Sequence, residues 1–500
     1  MVLFEIILGI TALIFLFVLY RKRSHSYWAR RNVPFMKPSL IWGNLDNPLL
    51  TKHGLKVDIK NAYEYFKRHG HKHGGIFFTS DPVWIPVDLE LIKNILQKDF
   101  AHFTSHGLSA DPERDPLSGN VFNLDGEDWK FVRSKLSPNF SSGKMKMMFN
   151  TLLECGVPMI DHVDQQSKRG DALDVKEILA SYTTDVIGSC AFGIDCNSFK
   201  DPNSDFRRCG RKVFEPSFNN VLRMIVAFVA PFLRHVVKFK MISNDVEKFF
   251  MDLVSGLFEY RKANGIVRND FIQLFIEMRE KAKETGEKTL TLPQITAQAF
   301  VFFLGGFETS SSTMTLCLHE LAFNQDIQDK LRAEVRETMK KNNGELTYDS
   351  IMEMKYMDQV VNETLRKYPI VPFVMRACTK DYRVPDSNAT ISKGMKVFIS
   401  TLGIHRDPAY YPNPDKFDPE RFSDENKSNI PNNAYIPFGE GPRICIGLRF
   451  GLMQTKMGLS MLLNKFKFSP PAGEKYDFHF DPKSFNLCKE GSVFLKIEKM

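Results

Sequence analysis

Phe438-Gly439-Glu440-Gly441-Pro442-Arg443-Ile444-Cys445-Ile446-Gly447 sets one cysteine among three glycines and a proline. Such a composition makes a tight loop with exposed backbone. Glycine permits positive φ and lets main chain approach a flat ligand closely. Amide N–H groups aimed at a sulfur would stabilise its thiolate form, and Arg443 adds positive charge nearby. Leu448-Arg449-Phe450-Gly451-Leu452-Met453 follows and reads as a helix start, whose dipole favours an anion. For one cysteine in isolation, an inert thiol buried in a glycine turn is the plainer reading.

The stretch does not stand in isolation. It resembles the signature of the cytochrome P450 family, F-x-x-G-x-R-x-C-x-G, with every fixed position filled. The resemblance implies a mainly α fold with a minor β-sheet region. It also implies haem b as cofactor, with Cys445 as the axial thiolate and metal ligand and Arg443 paired with a haem propionate. Phe438, Gly439 and Gly447 would complete the loop against the haem. A thiolate ligand pushes electron density toward bound oxygen and favours O–O cleavage.

Other landmarks of that family follow along nearly the whole chain. Gly305-Gly306-Phe307-Glu308-Thr309-Ser310 lies within a long helical pattern. Paired glycines weaken a helix and leave room against its backbone. An adjacent acid and hydroxyl could relay protons, and the segment resembles the oxygen-activation motif. Glu308 and Thr309 are by that likeness the catalytic residues. The plain alternative for Thr309 is a hydroxyl bonded back to its own i−4 carbonyl.

Glu363 and Arg366 stand at i and i+3, on one helical face. Glu363-Thr364-Leu365-Arg366 looks like the family's E-x-x-R, and Pro419-Glu420-Arg421-Phe422 like its partner motif. The implied network of Glu363, Arg366 and Arg421 is structural. Trp129 and Arg133 are spaced i, i+4 and show an indole and a guanidinium on one face. The resemblance assigns both to the propionates, together with Arg376 in Pro372-Phe373-Val374-Met375-Arg376. His405 is a further candidate, with an ordinary loop histidine an equal alternative. One departure stands in Phe103-Thr104-Ser105-His106-Gly107, where many relatives would carry an arginine at the place of His106.

Ser189-Cys190-Ala191-Phe192-Gly193-Ile194-Asp195 and the finer texture resemble insect microsomal members that oxidise foreign lipophilic compounds. By motif offset, the substrate cavity would be lined by Phe122, Val301, Leu304, Gly305, Val371, Phe373 and Leu487. These residues are apolar, so dispersion and desolvation would dominate binding. Electrons must come from outside, because no nucleotide-binding G-x-G-x-x-G accompanies the cysteine motif. The resemblance implies NADPH acting indirectly, through an NADPH–cytochrome P450 reductase at the same membrane. A small haem-protein donor could assist, and O2 is the co-substrate. Lys130, Lys135 and Arg449 are candidates for a basic docking face, or simply solvated helix charges.

Composition bounds these readings. The 500 residues allow a large core, and 43% apolar with 25% charged residues is ordinary globular composition. Phenylalanine is unusual at 43 copies, which suits either core packing or a dry ligand cavity. The net charge of +8 is spread out, without the basic blocks of a nucleic-acid arm, so no nucleic acid is expected as partner. Eight scattered cysteines, without CxxC pairs, suggest a reduced, cytosol-facing body rather than a disulfide framework.

Met1 to Tyr20 is apolar apart from Glu5 and Thr11. As a helix it spans ~30 Å, enough for a bilayer core. A cleavable signal peptide would carry its positive charge before the apolar run. Here Arg21, Lys22 and Arg23 follow it, the order of an uncleaved signal-anchor with the following domain in the cytosol. The expected organisation is therefore a transmembrane anchor over 1–20, a basic linker with Pro34 and Pro38 over 21–38, and the catalytic domain over 39–500. The implied location is the endoplasmic reticulum membrane, crossed once. Val221 to Val237 is the next most apolar stretch, broken by Arg223, Pro231 and Arg234; it reads as core or as an element at the bilayer interface.

Helical stripes run over Ala180–Ile194, Asp245–Ala263, Pro293–Asn324 and Ile327–Lys341. From about Thr379 the texture turns to short β-branched pieces, Thr390-Ile391, Lys396 to Ile399 and Ser492 to Ile497. The leading function is a membrane-bound monooxygenase for lipophilic small molecules. The alternatives are a hydroperoxide isomerase or dehydratase on the same scaffold, which needs no acid–Thr pair, and a membrane-tethered haem carrier or sensor without turnover.

Overall fold

The structure is a computed structural model that describes residues 1–47, 53–108, 110–214 and 240–500. The apolar stretch from Val221 to Val237 lies outside the described residues. The body is mainly helical, and its axis is the helix Leu292–Phe323. Thr291 caps this helix, accepting from the Gln294 N–H while the Gln294 side chain accepts from the Thr291 N–H, and Pro293 stands in its first turn. A reciprocal cap with proline at the start satisfies donors that the helix leaves open. From Ile295 to Ala322 most of its residues are buried. Around it pack the helices Val175–Ile187, Lys355–Lys367 and Leu448–Lys465.

The Ala180–Ile194 stripe is a helix only to Ile187. A wider π-helical turn takes over Gly188–Phe192, and Gly193 stops it at φ +69°. The other stripes are the helices Asn244–Asn264, Leu292–Phe323 and Gln325–Lys341.

The β residues gather at one side. β1 (His73–Phe78) and β2 (Asp81–Pro86) form a hairpin, β7 (Lys396–Ile399) joins β2 in parallel, and β4 (Val374–Ala377) joins β7 antiparallel. The register sets Arg376 opposite Val397. β3 (Leu173–Asp174), β9 (Phe494–Lys499) and β8 (Phe466–Ser469) make a second sheet; β5 (Tyr382–Arg383) and β6 (Thr390–Ile391) make a third. Among the described residues two apolar clusters result, one among the helices and one beneath the first sheet.

The N-terminal apolar run is one helix, Val2–His25, and residues 1–17 are exposed along it. That is the exposure expected of a membrane anchor. The basic segment after it is packed rather than free. Arg21 is buried and donates to the carbonyls of Leu40 (2.7 Å) and Ile41 (2.5 Å). Trp28 is fully buried, its indole N–H on the Ile76 carbonyl at 3.0 Å, and Phe35 pairs with Gly75 at the sheet edge. Gly75 has no alternative there, since a Cβ would stand 2.3 Å from the Trp28 ring.

Candidate active site

The cysteine loop is held by its own backbone. The Cys445 N–H donates to the Phe438 carbonyl at 3.0 Å, Gly439 to Ile436 at 3.1 Å, and Ile444 to Gly441 at 3.0 Å. Gly441 takes φ +73°, and a Cβ on it would run into the Leu96 carbonyl. The helix Leu448–Lys465 starts three residues after the cysteine, with Gly447 as its cap. The Cys445 side chain opens into an internal chamber of about 350 Å³. Burial pushes its thiol above the ordinary value, while the Gly447 N–H and Arg133 pull it down.

The opposite wall is the middle of Leu292–Phe323. Val301, Phe302, Gly305, Gly306, Thr309, Ser310 and Thr313 line the chamber, recurring at three and four residues as one helical face does. A Cβ on Gly305 would meet nothing within 4 Å, so the bare backbone there is open space. Leu304 and Glu308 lie off that face. The Thr309 hydroxyl donates to the Gly305 carbonyl, the back-bonded alternative foreseen for it. Glu308 accepts from the Ser312 hydroxyl at 3.4 Å. Burial raises its carboxyl to about 7, against the pull of Lys176 and Ser312.

Arg443 is buried and ties the loop to the segment 104–125. Its Nε donates to the Thr104 carbonyl at 2.8 Å, and its Nη2 to the Leu124 carbonyl at 2.7 Å and Asp125 at 3.1 Å. Its guanidinium lies 4.2 Å from the centre of the Trp129 ring, the geometry of a cation–π contact. Arg133 donates to the Ile444 carbonyl at 2.8 Å. Arg376, on β4, is buried; its Nη1 reaches only the neighbouring Met375 carbonyl, and its Nε has no partner among the described residues. Burial, then Arg443, lowers it to about 9.

His106 lines the chamber between these cations. Its Nδ1 lies 2.7 Å from the Phe122 carbonyl; a carbonyl only accepts, so that nitrogen carries the proton. Burial, Arg376 and Arg443 hold the imidazole well below its ordinary value, hence neutral. The Phe122 segment is hung from the long helix: Gln298 donates to the Gly119 carbonyl (3.0 Å) and accepts from the Val121 N–H (2.8 Å). Phe122, Val371 and Phe373 line the chamber; Leu487 does not, being fully buried with its N–H on the Ile370 carbonyl at 2.8 Å. Phe485, which no motif marks, lines it instead.

An unpaired buried guanidinium is costly and calls for an anion. Arg376 in that state, with Trp129, Arg133, Arg443 and the Cys445 sulfur lining the same chamber, suits a flat anionic metal complex. These residues fit haem.

His405 is outside the chamber: its Nε2 accepts from the Ile436 N–H at 2.9 Å, and its ring stacks on Tyr435. It holds the strand of loop entering the cysteine turn. Glu363 and Arg366, both fully buried, form two hydrogen bonds of 2.7 and 2.9 Å. Arg421 comes within 3.5 Å of Glu363. Lys130 pairs with Glu127 (2.7 Å), Lys135 pairs with Glu287 (3.1 Å), and Arg449 is exposed.

Residues 38–493 match the family model described as cytochrome P450. The chain is 42% identical over 488 residues to the probable cytochrome P450 6a14 of Drosophila melanogaster, covering 95% of this chain and 96% of that protein. It is 40% identical over 488 residues to cytochrome P450 6a2 of the same fly, covering 96% of each. Against cytochrome P450 6j1 of Blattella germanica the identity is 39% over 484 residues, covering 96% of this chain and 95% of that protein.

Proposed function

The chain belongs to the cytochrome P450 family, and from that premise we propose a membrane-bound haem-thiolate monooxygenase acting on lipophilic small molecules. Xenobiotics such as plant toxins or insecticides are the proposed substrates, with endogenous hormones or pheromones of the same chemistry also suited to the chamber. The observation that carries this reading is the chamber itself. It joins a cysteine thiol, a buried unpaired arginine and a largely apolar lining in one enclosed space.

When bound, haem supplies activation of O2 under the electron push of a thiolate ligand. The protein does the rest. Cys445 is the metal ligand and is presented by the rigid hydrogen bonds of its loop. Arg376, Arg133, Trp129 and Arg443 would hold the anionic edge of the cofactor, and Arg443 also fixes the 104–125 segment. Phe122, Val301, Val371 and Phe373 exclude water and bind substrate by dispersion and desolvation. Thr309 offers a hydroxyl oxygen at the open helix face and steadies a proton there. Glu308, with its carboxyl raised to about 7 one residue away, serves as the proton reservoir from the edge of that helix face.

Electrons come from NADPH through a separate reductase, with a small haem protein as an optional second donor. The Val2–His25 helix anchors the enzyme in the endoplasmic reticulum membrane as a single span, and the basic residues after it keep the body on the cytosolic side.

The test is a CO-difference spectrum of the reduced protein, followed by NADPH-dependent O2 uptake with reductase and a panel of lipophilic compounds. Substrate-stimulated uptake with oxygenated product, absent in Cys445→Ala, is the expected result. A thiolate spectrum with no uptake, but with turnover of organic hydroperoxides, would move the assignment to an isomerase.

A further inference from the structure

Lys56 is a buried ammonium without a carboxylate within 4 Å among the described residues. It stands in the first turn of the helix Leu55–Arg68 and is 2% exposed. Its Nζ donates to three main-chain carbonyls, those of Asp481 (2.5 Å), Ser484 (2.7 Å) and Asn486 (3.5 Å). An ammonium has three N–H donors, and all three are used. Burial lowers its pKa, against the opposing pull of Cys488 and Asp481.

The three carbonyls belong to one turn, at the tip of a hairpin closed by the Phe480 and Lys489 pair and by the Asp481 N–H on the Cys488 carbonyl at 3.0 Å. The Leu55–Arg68 helix and this turn are in direct contact. Gly54 has φ +71°, and a Cβ on it would stand 2.3 Å from the Pro482 carbonyl. On its other side the same turn sends Phe485 into the chamber, with its ring 5.5 Å from that of Phe373.

We propose that Lys56 is a positioning residue for substrate selection: it fixes the turn 481–486 from outside and so sets where the Phe485 wall stands. A buried polar anchor is a poor way to gain stability, since an apolar residue of similar volume would cost less. What it supplies is a single geometry for three carbonyls that pair in no sheet among the described residues. The inference rests on the reading of the chamber as the substrate site.

The test uses the holoenzyme and two azoles, which bind at the haem iron and shift its Soret band. Imidazole is small enough to leave Phe485 untouched, whereas clotrimazole must fill the chamber. Lys56→Met, which keeps the stem and removes the donors, is expected to change the clotrimazole Kd by on the order of tenfold and the imidazole Kd by less than about twofold. Phe485→Ala should alter the same ratio. Adding Lys56→Met to it should then change nothing further, because the lysine acts through the ring. Equal shifts for both azoles, or effects of the two substitutions that multiply, would overturn the proposal. If Lys56→Met does not accumulate with haem, Lys56→Gln and Gly54→Ala disturb the same turn from the same side, and an unchanged azole ratio in both overturns it equally. Imidazole binding by the unaltered enzyme tests the haem site separately: its absence would sink the haem-thiolate reading, not the role of Lys56.

Discussion

Glu308 and Thr309 are neighbours in the chain that face apart in the fold. The threonine lines the chamber, whereas the glutamate, one residue earlier, lies off that face with the Ser312 hydroxyl on its carboxylate. The Thr309 hydrogen is committed to the Gly305 carbonyl. What the residue presents to the chamber is therefore an acceptor oxygen. An acid–hydroxyl relay in this helix has to pass over the helix edge, not along a single face.

Removing the acceptor should uncouple the enzyme rather than empty it. With reductase and a turned-over substrate, Thr309→Ala is expected to lower product formed per NADPH oxidised by roughly tenfold or more. The missing electrons should appear as peroxide. Thr309→Ser keeps the oxygen and should retain most of the coupling. Unchanged product yield in Thr309→Ala would remove the residue from the proton path.

Burial gives Glu308 a pH signature of its own. Its carboxyl is raised from the model-peptide region near 4.5 to about 7. A group with a raised folded-state pKa contributes stability that is complete below its unfolded value and is lost as pH rises through the folded one. Glu308→Gln should thus leave the melting temperature near that of the parent at pH 4.5 and raise it relative to the parent at pH 8. The gain is bounded at about 3 kcal/mol by the size of the shift. A difference between the two proteins that is flat from pH 4.5 to 8 would show that the carboxylate is solvated.

The elements written in one local pattern were legible from the chain alone. The apolar run before Arg21, the long helix with its glycine pair and the loop around Cys445 are all such cases, because composition and period act within a few residues. Places set by distant contacts were not. Motif offset places Leu487 on the chamber wall, yet it is Phe485 that lines the wall, at the tip of a turn held by a lysine 425 positions away in sequence. Leu304 misses by less than a quarter of the helix circumference, on the same edge as Glu308. His405 and the Ile436 N–H it supports meet only once the chain has folded. The basic stretch after the apolar helix reads as a stiff linker because charge and proline dominate its composition. Its single Trp28, which closes onto Gly75, was the signal of packing.

The pair of Glu363 and Arg366 gives a sharp stability test. Both side chains are fully buried, and Arg366 also donates to the carbonyls of His405 (2.9 Å) and Pro414 (2.8 Å). Removing either partner leaves an uncompensated buried charge, at a cost of about 3–5 kcal/mol. Glu363→Ala should therefore yield little holoprotein, and Arg366→Lys should not rescue, since one ammonium cannot span the fork of acceptors. Arg421→Lys, at the more exposed edge of the network, should lose far less. Denaturation midpoints followed at the Soret band would rank the three; equal losses would mean that the network is a surface feature.

Arg376 should behave in the opposite sense. Its guanidinium is buried beside Arg443, with an unpartnered Nε and no carboxylate in contact among the described residues. Such a cation weakens the protein that lacks haem and is compensated only when an anion arrives. Arg376→Leu is therefore expected to leave the melting temperature of the apoprotein unchanged or higher. The same substitution should weaken haem binding by roughly ten- to a hundredfold, the worth of one or two charge-assisted hydrogen bonds. Transfer of haem to apomyoglobin measures the second quantity directly. Arg443→Leu provides the contrast, because that guanidinium also holds the carbonyls of Thr104 and Leu124, and its loss should lower apoprotein and holoprotein stability together. If Arg376→Leu instead destabilised the apoprotein and left haem transfer unchanged, the arginine would be part of the sheet's own structure, and the anion-binding reading of the chamber would lose its strongest support.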